Sequence, residues 1–100
     1  MRPWIYQTCN EYGWFQTSTS RNQPFGTKYP LVFFTTLCKD AYGEQFTNEY
    51  IHKQTEGTNL EFGGLEPQVE NVYMTHGQLD PWRAAGIQDE TQATVIPCKL

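Results

Sequence analysis

The chain has 100 residues with a formal net charge of −4, enough for one small globular unit and too acidic for a nucleic-acid surface. Its seven Lys and Arg residues are scattered singly, and no apolar run approaches the length of a membrane span. Aromatic residues reach 15 %, which demands either a packed core or a surface that something else covers.

In chain order, the first predicted element is a buried strand from Trp4 to Cys9, because Trp4, Ile5 and Tyr6 are β-formers behind Pro3. The opening Met1-Arg2-Pro3-Trp4 does not read as a secretory leader. Residues Asn10 to Pro30 read as a long loop, broken by Gly13, Pro24, Gly26 and a Thr/Ser tract. Pro30 opens a predicted helix in which Leu31, Phe34, Leu37 and Cys38 recur at helical spacing, closed by Gly43. A second helix is expected from Glu44 to about Gln54, with Phe46, Tyr50 and Ile51 on one face, followed by loop from Thr55 to Pro67. Asn71 to Thr75 reads as a second strand, His76 to Gly86 as a turn, and Ala93 to Ile96 as a third strand stopped by Pro97.

About three strands with one or two helices make an α/β arrangement that is incomplete as a domain. Parallel strands need helices on both faces, and this chain supplies too few. The three cysteines, Cys9, Cys38 and Cys98, show no zinc-ligand spacing, so no metal site is expected. They read either as three buried thiols or as one disulfide and one leftover thiol.

The segment richest in chemistry is Asn71-Val72-Tyr73-Met74-Thr75-His76-Gly77-Gln78-Leu79-Asp80-Pro81-Trp82. It is an apolar strand, a glycine turn, and an acid held by a following proline. In α/β hydrolases the triad acid lies on a loop after a late strand, between the nucleophile and the base in chain order. On its own, however, Asp-Pro is a common turn pair.

Gly77-x-x-Asp80-Pro81-Trp82 with a downstream Gly86 resembles the acid loop of the prolyl carboxypeptidase, dipeptidyl peptidase II and thymus-specific serine protease family. Trp4-Ile5-Tyr6-Gln7-Thr8-Cys9-x-Glu11, Leu37-Cys38-Lys39-Asp40-Ala41-Tyr42-Gly43 and Phe62-Gly63-Gly64 resemble further segments of that family, in the same order. The stretch Trp14-Phe15-Gln16-Thr17-Ser18-Thr19 is similar to the thymus-specific branch. The resemblance covers residues 1–97 and leaves 98–100 as a divergent tail.

The resemblance implies the C-terminal part of an α/β-hydrolase sheet and a serine-type exopeptidase acting near peptide ends, often after proline. It implies a lysosomal or extracellular setting and a peptide substrate, with no cofactor. Asp80 becomes the triad acid, Gly77 and Trp82 shape its loop, Glu11 and Trp82 lie near the substrate, and Cys9 pairs with Cys38.

The only serines, Ser18 and Ser20, sit in Thr17-Ser18-Thr19-Ser20-Arg21, outside any G-x-S-x-G elbow. The family's nucleophile is expected upstream of Met1 and its histidine just past Leu100, so this chain alone is expected to be inactive. His76 reads as a polar loop residue and His52 as a solvated helix residue. The alternative to a peptidase segment is a non-catalytic, aromatic-rich module that binds a peptide, itself or a full-length relative. Cys98-Lys99-Leu100 resembles a relaxed form of the Ser-Lys-Leu peroxisomal address.

Overall fold

A computed structural model describes residues 1–88 and the backbone of 96–99. The chain divides into two compact units, Met1–Thr58 and Asn59–Leu100.

The first unit opens on a helix, which corrects the strand expected over Trp4 to Cys9. Helix α1 spans Arg2–Gln7 and runs straight into a wider π-turn, Thr8–Tyr12. Pro3 lies in the first turn, where its missing N–H costs nothing. The helical period puts Ile5 and Cys9, four apart, on one face, and Ile5 packs against a core of Cys9, Cys38, Phe46 and Ile51. Tyr6 meets Tyr42 and Phe46 edge-on, with ring centroids 5.2 and 5.9 Å apart. These contacts lie over thirty residues away in sequence, and they outweigh the local β preference of Trp-Ile-Tyr. The π-turn ends at Gly13, whose N–H donates to the Thr8 carbonyl at 2.9 Å. Gly13 sits at φ 63°, and a Cβ there would come within 2.5 Å of the Thr55 hydroxyl, so both backbone and space select glycine.

Residues 14–30 cross the surface without regular structure, as expected. Phe15 stacks on Phe34 with centroids 5.6 Å apart, and the buried Ser18 accepts the Tyr29 N–H on its Oγ at 3.0 Å. Helix α2, Leu31–Tyr42, begins after Pro30 and ends at Gly43, in agreement with its period. Helix α3, Asn48–Phe62, starts four residues later and runs eight residues further than the sequence suggests. Thr47 explains the start: its Oγ accepts the Tyr50 N–H at 3.2 Å, the bond of an N-cap. In the extension, Thr55 and Thr58 donate their hydroxyls to the carbonyls of Ile51 and Gln54 one turn back, a bond compatible with a helix though not a stabiliser of it.

The second unit carries two strands. Strand β1, Tyr73–His76, pairs in parallel with β2, Ile96–Lys99, in the register Tyr73↔Ile96, Met74↔Pro97, Thr75↔Cys98 and His76↔Lys99. Pro97 therefore lies inside β2 rather than stopping it. Proline is tolerated in a strand wherever no ladder bond requires its N–H, as at a sheet edge. The earlier part of that predicted strand, residues 93–95, lies outside the described residues.

Candidate functional site

The acid loop grows out of β1. Along that strand Tyr73 and Thr75 are exposed, while Met74 and His76 are half-buried, the two-residue alternation of a strand. After His76 the chain reverses, and the Asp80 N–H donates to the Gly77 carbonyl at 3.1 Å, closing a four-residue turn. Pro81 forces Asp80 into the extended region, φ −78° and ψ 117°. From there Asp80 caps a 3-10 turn, Pro81–Ala85: its Oδ1 accepts the Trp82 N–H at 2.9 Å. Arg83 donates its N–H to the Asp80 carbonyl at 3.2 Å and its Nη1 to the Gln78 carbonyl at 3.1 Å. The carboxylate is exposed, with one oxygen tied to the main chain.

His76 does more than a polar loop residue would. Its Nε2 lies 2.6 Å from the carbonyl oxygen of the buried Ile87. A carbonyl only accepts, so this nitrogen carries the proton. Sequence reading missed the contact, and the one local sign of it was Gly86.

Trp82 occupies the first turn after Asp80 and is 39 % exposed. Glu11 belongs to the first unit and sits half-buried in the π-turn beside Cys9. Cys9 and Cys38 are fully buried and joined by a disulfide, with Cα atoms 5.7 Å apart. His52 pairs with Glu56 at 3.4 Å on an exposed helix face. Ser20 is exposed and accepts the Asn22 N–H. Among the described residues no group of three or more His, Cys, Asp or Glu could hold a metal ion, and no helix is long and apolar enough to cross a membrane.

Residues 1–100 match the family described as serine carboxypeptidase S28. A Caenorhabditis elegans protein described as a candidate serine protease is 35 % identical over 86 residues, covering 85 % of this chain and 16 % of its own length. The thymus-specific serine protease of Mus musculus is 29 % identical over 89 residues, covering 89 % of this chain and 17 % of its own. A fungal protein of Arthroderma benhamiae, described as a candidate extracellular serine carboxypeptidase, is 24 % identical over 94 residues, covering 86 % and 12 %. No solved structure matches. The chain spans 20 % or less of the length of these relatives. It belongs to the serine carboxypeptidase S28 family.

Proposed function

We propose that this chain is the acid-bearing segment of a serine-type exopeptidase of α/β-hydrolase architecture, and that Asp80 is the acid of its catalytic triad. The observation that carries the reading is the Asp80 carboxylate anchored by the Trp82 N–H at the turn after a parallel strand. A triad acid must hold an imidazole in one tautomer and orientation. One oxygen fixed on the main chain and the other open to an incoming Nδ1–H suits that task. Trp82 and Gly77 keep the loop in shape, and Trp82 lies near the peptide.

The serine and histidine of the triad come from the remainder of the peptidase. Ser18 is buried with its oxygen engaged by Tyr29, and Ser20 is not on an elbow. Both histidines are committed, His52 to Glu56 and His76 to Ile87. The 100 residues alone therefore hydrolyse no peptide. The substrate of the whole peptidase is a peptide cut near one end, with proline beside the scissile bond, and the buried disulfide suits an oxidising lysosomal or extracellular compartment.

The test is a chimera in which this chain replaces the matching segment of the mouse thymus-specific protease. The chimera is expected to cleave Pro-containing dipeptidyl or carboxy-terminal substrates, and Asp80→Asn to lower kcat by about 10⁴-fold. Labelling by a fluorophosphonate in the parent chimera reports that the nucleophile is assembled. An Asp80→Asn chimera within tenfold of its parent would overturn the assignment.

A second reading is favoured by α2, where Leu31, Val32 and Phe33 are 53, 59 and 47 % exposed. In that reading these exposed side chains bind a peptide or a full-length relative without catalysis. A stoichiometric complex between this chain and an intact family member, with no gain of hydrolysis in the chimera, would favour it.

A further inference from the structure

We propose that His76 is a positioning residue for Asp80: its imidazole, bonded to Ile87 and seated against Gly86, closes the base of the acid loop. The inference rests on the reading of Asp80 as triad acid. Three main-chain bonds curl the loop, from Asp80 to Gly77, from Arg83 to Asp80 and from Gly86 to Arg83. Each spans three residues, so each shapes a local turn without fixing where the loop returns to the strand. The His76–Ile87 bond spans eleven residues. It ties the last residue of β1 to the first residue after the loop. A short bond to the carbonyl of a residue only 4 % exposed is shielded from competing water.

Gly86 supplies independent support. Its φ of −109° suits any residue, so backbone conformation does not explain the glycine. The space does: a Cβ at position 86 would collide with the His76 ring at its Cε1 carbon. The ring and the glycine fit each other, and the loop returns close to β1 while position 76 supplies a donor of this reach and position 86 has no Cβ. The carboxylate then starts each encounter already aimed, so the reorganisation that a loose loop would need is avoided.

The test uses the chimera described above, in which this segment sits within the whole peptidase, labelled with 15N and 13C. The His76 ring is expected in the Nε2–H tautomer, visible as one protonated and one unprotonated ring nitrogen at neutral pH. His76→Leu is expected to speed hydrogen exchange of the Trp82 amide on the order of tenfold, the scale of one net hydrogen bond. It also moves the Asp80 side-chain carboxyl resonance. His76→Gln, which keeps a donor, restores both, while Gly86→Ala reproduces the loss by displacing the ring. Unchanged amides in α2 show that the effect is local.

A tautomer mixture like that of free histidine in the unmutated chain would overturn the proposal. So would a His76→Leu chain with unaltered Trp82 exchange and an unmoved Asp80 resonance. The outcomes separate from those of the triad assignment. An intact clamp with an active Asp80→Asn chimera removes the triad role alone, and an absent clamp with an inactive one removes the positioning role alone.

Discussion

Two residues carry most of the first unit's order. Cys9 and Cys38 are its most buried side chains and lie 29 apart in sequence. A closed loop of that length restricts the unfolded chain by about 3–4 kcal/mol in the chain-entropy account. Cys9→Ser with Cys38→Ser is therefore expected to lower the stability of the first unit by about that amount, read from urea unfolding with and without the pair. Mass spectrometry after oxidative refolding should count one free thiol. Gly13 is the second control point. Gly13→Ala forces an L side chain into positive φ and against the Thr55 hydroxyl, and is expected to cost on the order of 1–3 kcal/mol in the same measurement. The pairing of Cys9 with Cys38 is implied by the family-like segments that flank each cysteine, while nothing in their spacing alone selects it over Cys98. Gly13 looked like an ordinary loop breaker, because its reason, Thr55, lies on another helix.

At the scale of elements, the start of α3 shows how a local device controls a helix. Thr47 caps the Tyr50 N–H. Thr47→Ala is expected to cost about 1 kcal/mol and to fray the first turn, measured by hydrogen exchange at Tyr50 and Ile51. The exposed Glu49 carboxyl is held below its ordinary value of 4.5, first by its own backbone N–H and then by the Thr47 hydroxyl. A lowered folded pKa means that its contribution is present above the ordinary glutamate value and disappears as pH falls through the folded one. Helicity of α3 should therefore fall more on acidification below pH 4.5 than it does in Glu49→Gln, followed by circular dichroism. The two helices differed in legibility for a physical reason. The apolar spacing of α2 is local and announces itself. The last turns of α3 carry Thr55, Gly57, Thr58 and Asn59, weak helix formers with no apolar stripe at helical spacing, so nothing local announces them.

The whole molecule keeps large apolar surface in solvent. Besides Leu31, Val32 and Phe33 of α2, Leu60 is 88 % and Phe62 69 % exposed, while the relatives are at least five times as long as the segment they share with it. A groove of about 400 Å³ is lined by Val32, Phe33 and Leu37 of α2, with Lys28 and Asp40 also at its wall. Surface of this kind is normally covered. The isolated chain is expected to self-associate at micromolar concentration, seen by sedimentation velocity. Near-UV circular dichroism should show a broad thermal transition. A monodisperse monomer with a sharp transition above about 45 °C would mean the chain is self-sufficient.

Local chemistry along the chain encodes the α2 period, the strand at Tyr73, and the Gly77-x-x-Asp80-Pro81-Trp82 turn. In that turn proline sets the backbone of Asp80, and Asp80 caps the next turn. Tertiary structure decided the rest. Residues 4–9 have strand propensity, yet they are helical because a helix puts Ile5 and Cys9 on the core formed with Cys38 and Phe46. Pro97 continues a strand because it pairs with Met74 in the parallel ladder, a partner 23 residues back in the chain. His76 is bound to Ile87 because the loop folds back on β1. Each of these outcomes depends on a partner far along the chain, and propensity or spacing over a few residues carries no information about such a partner.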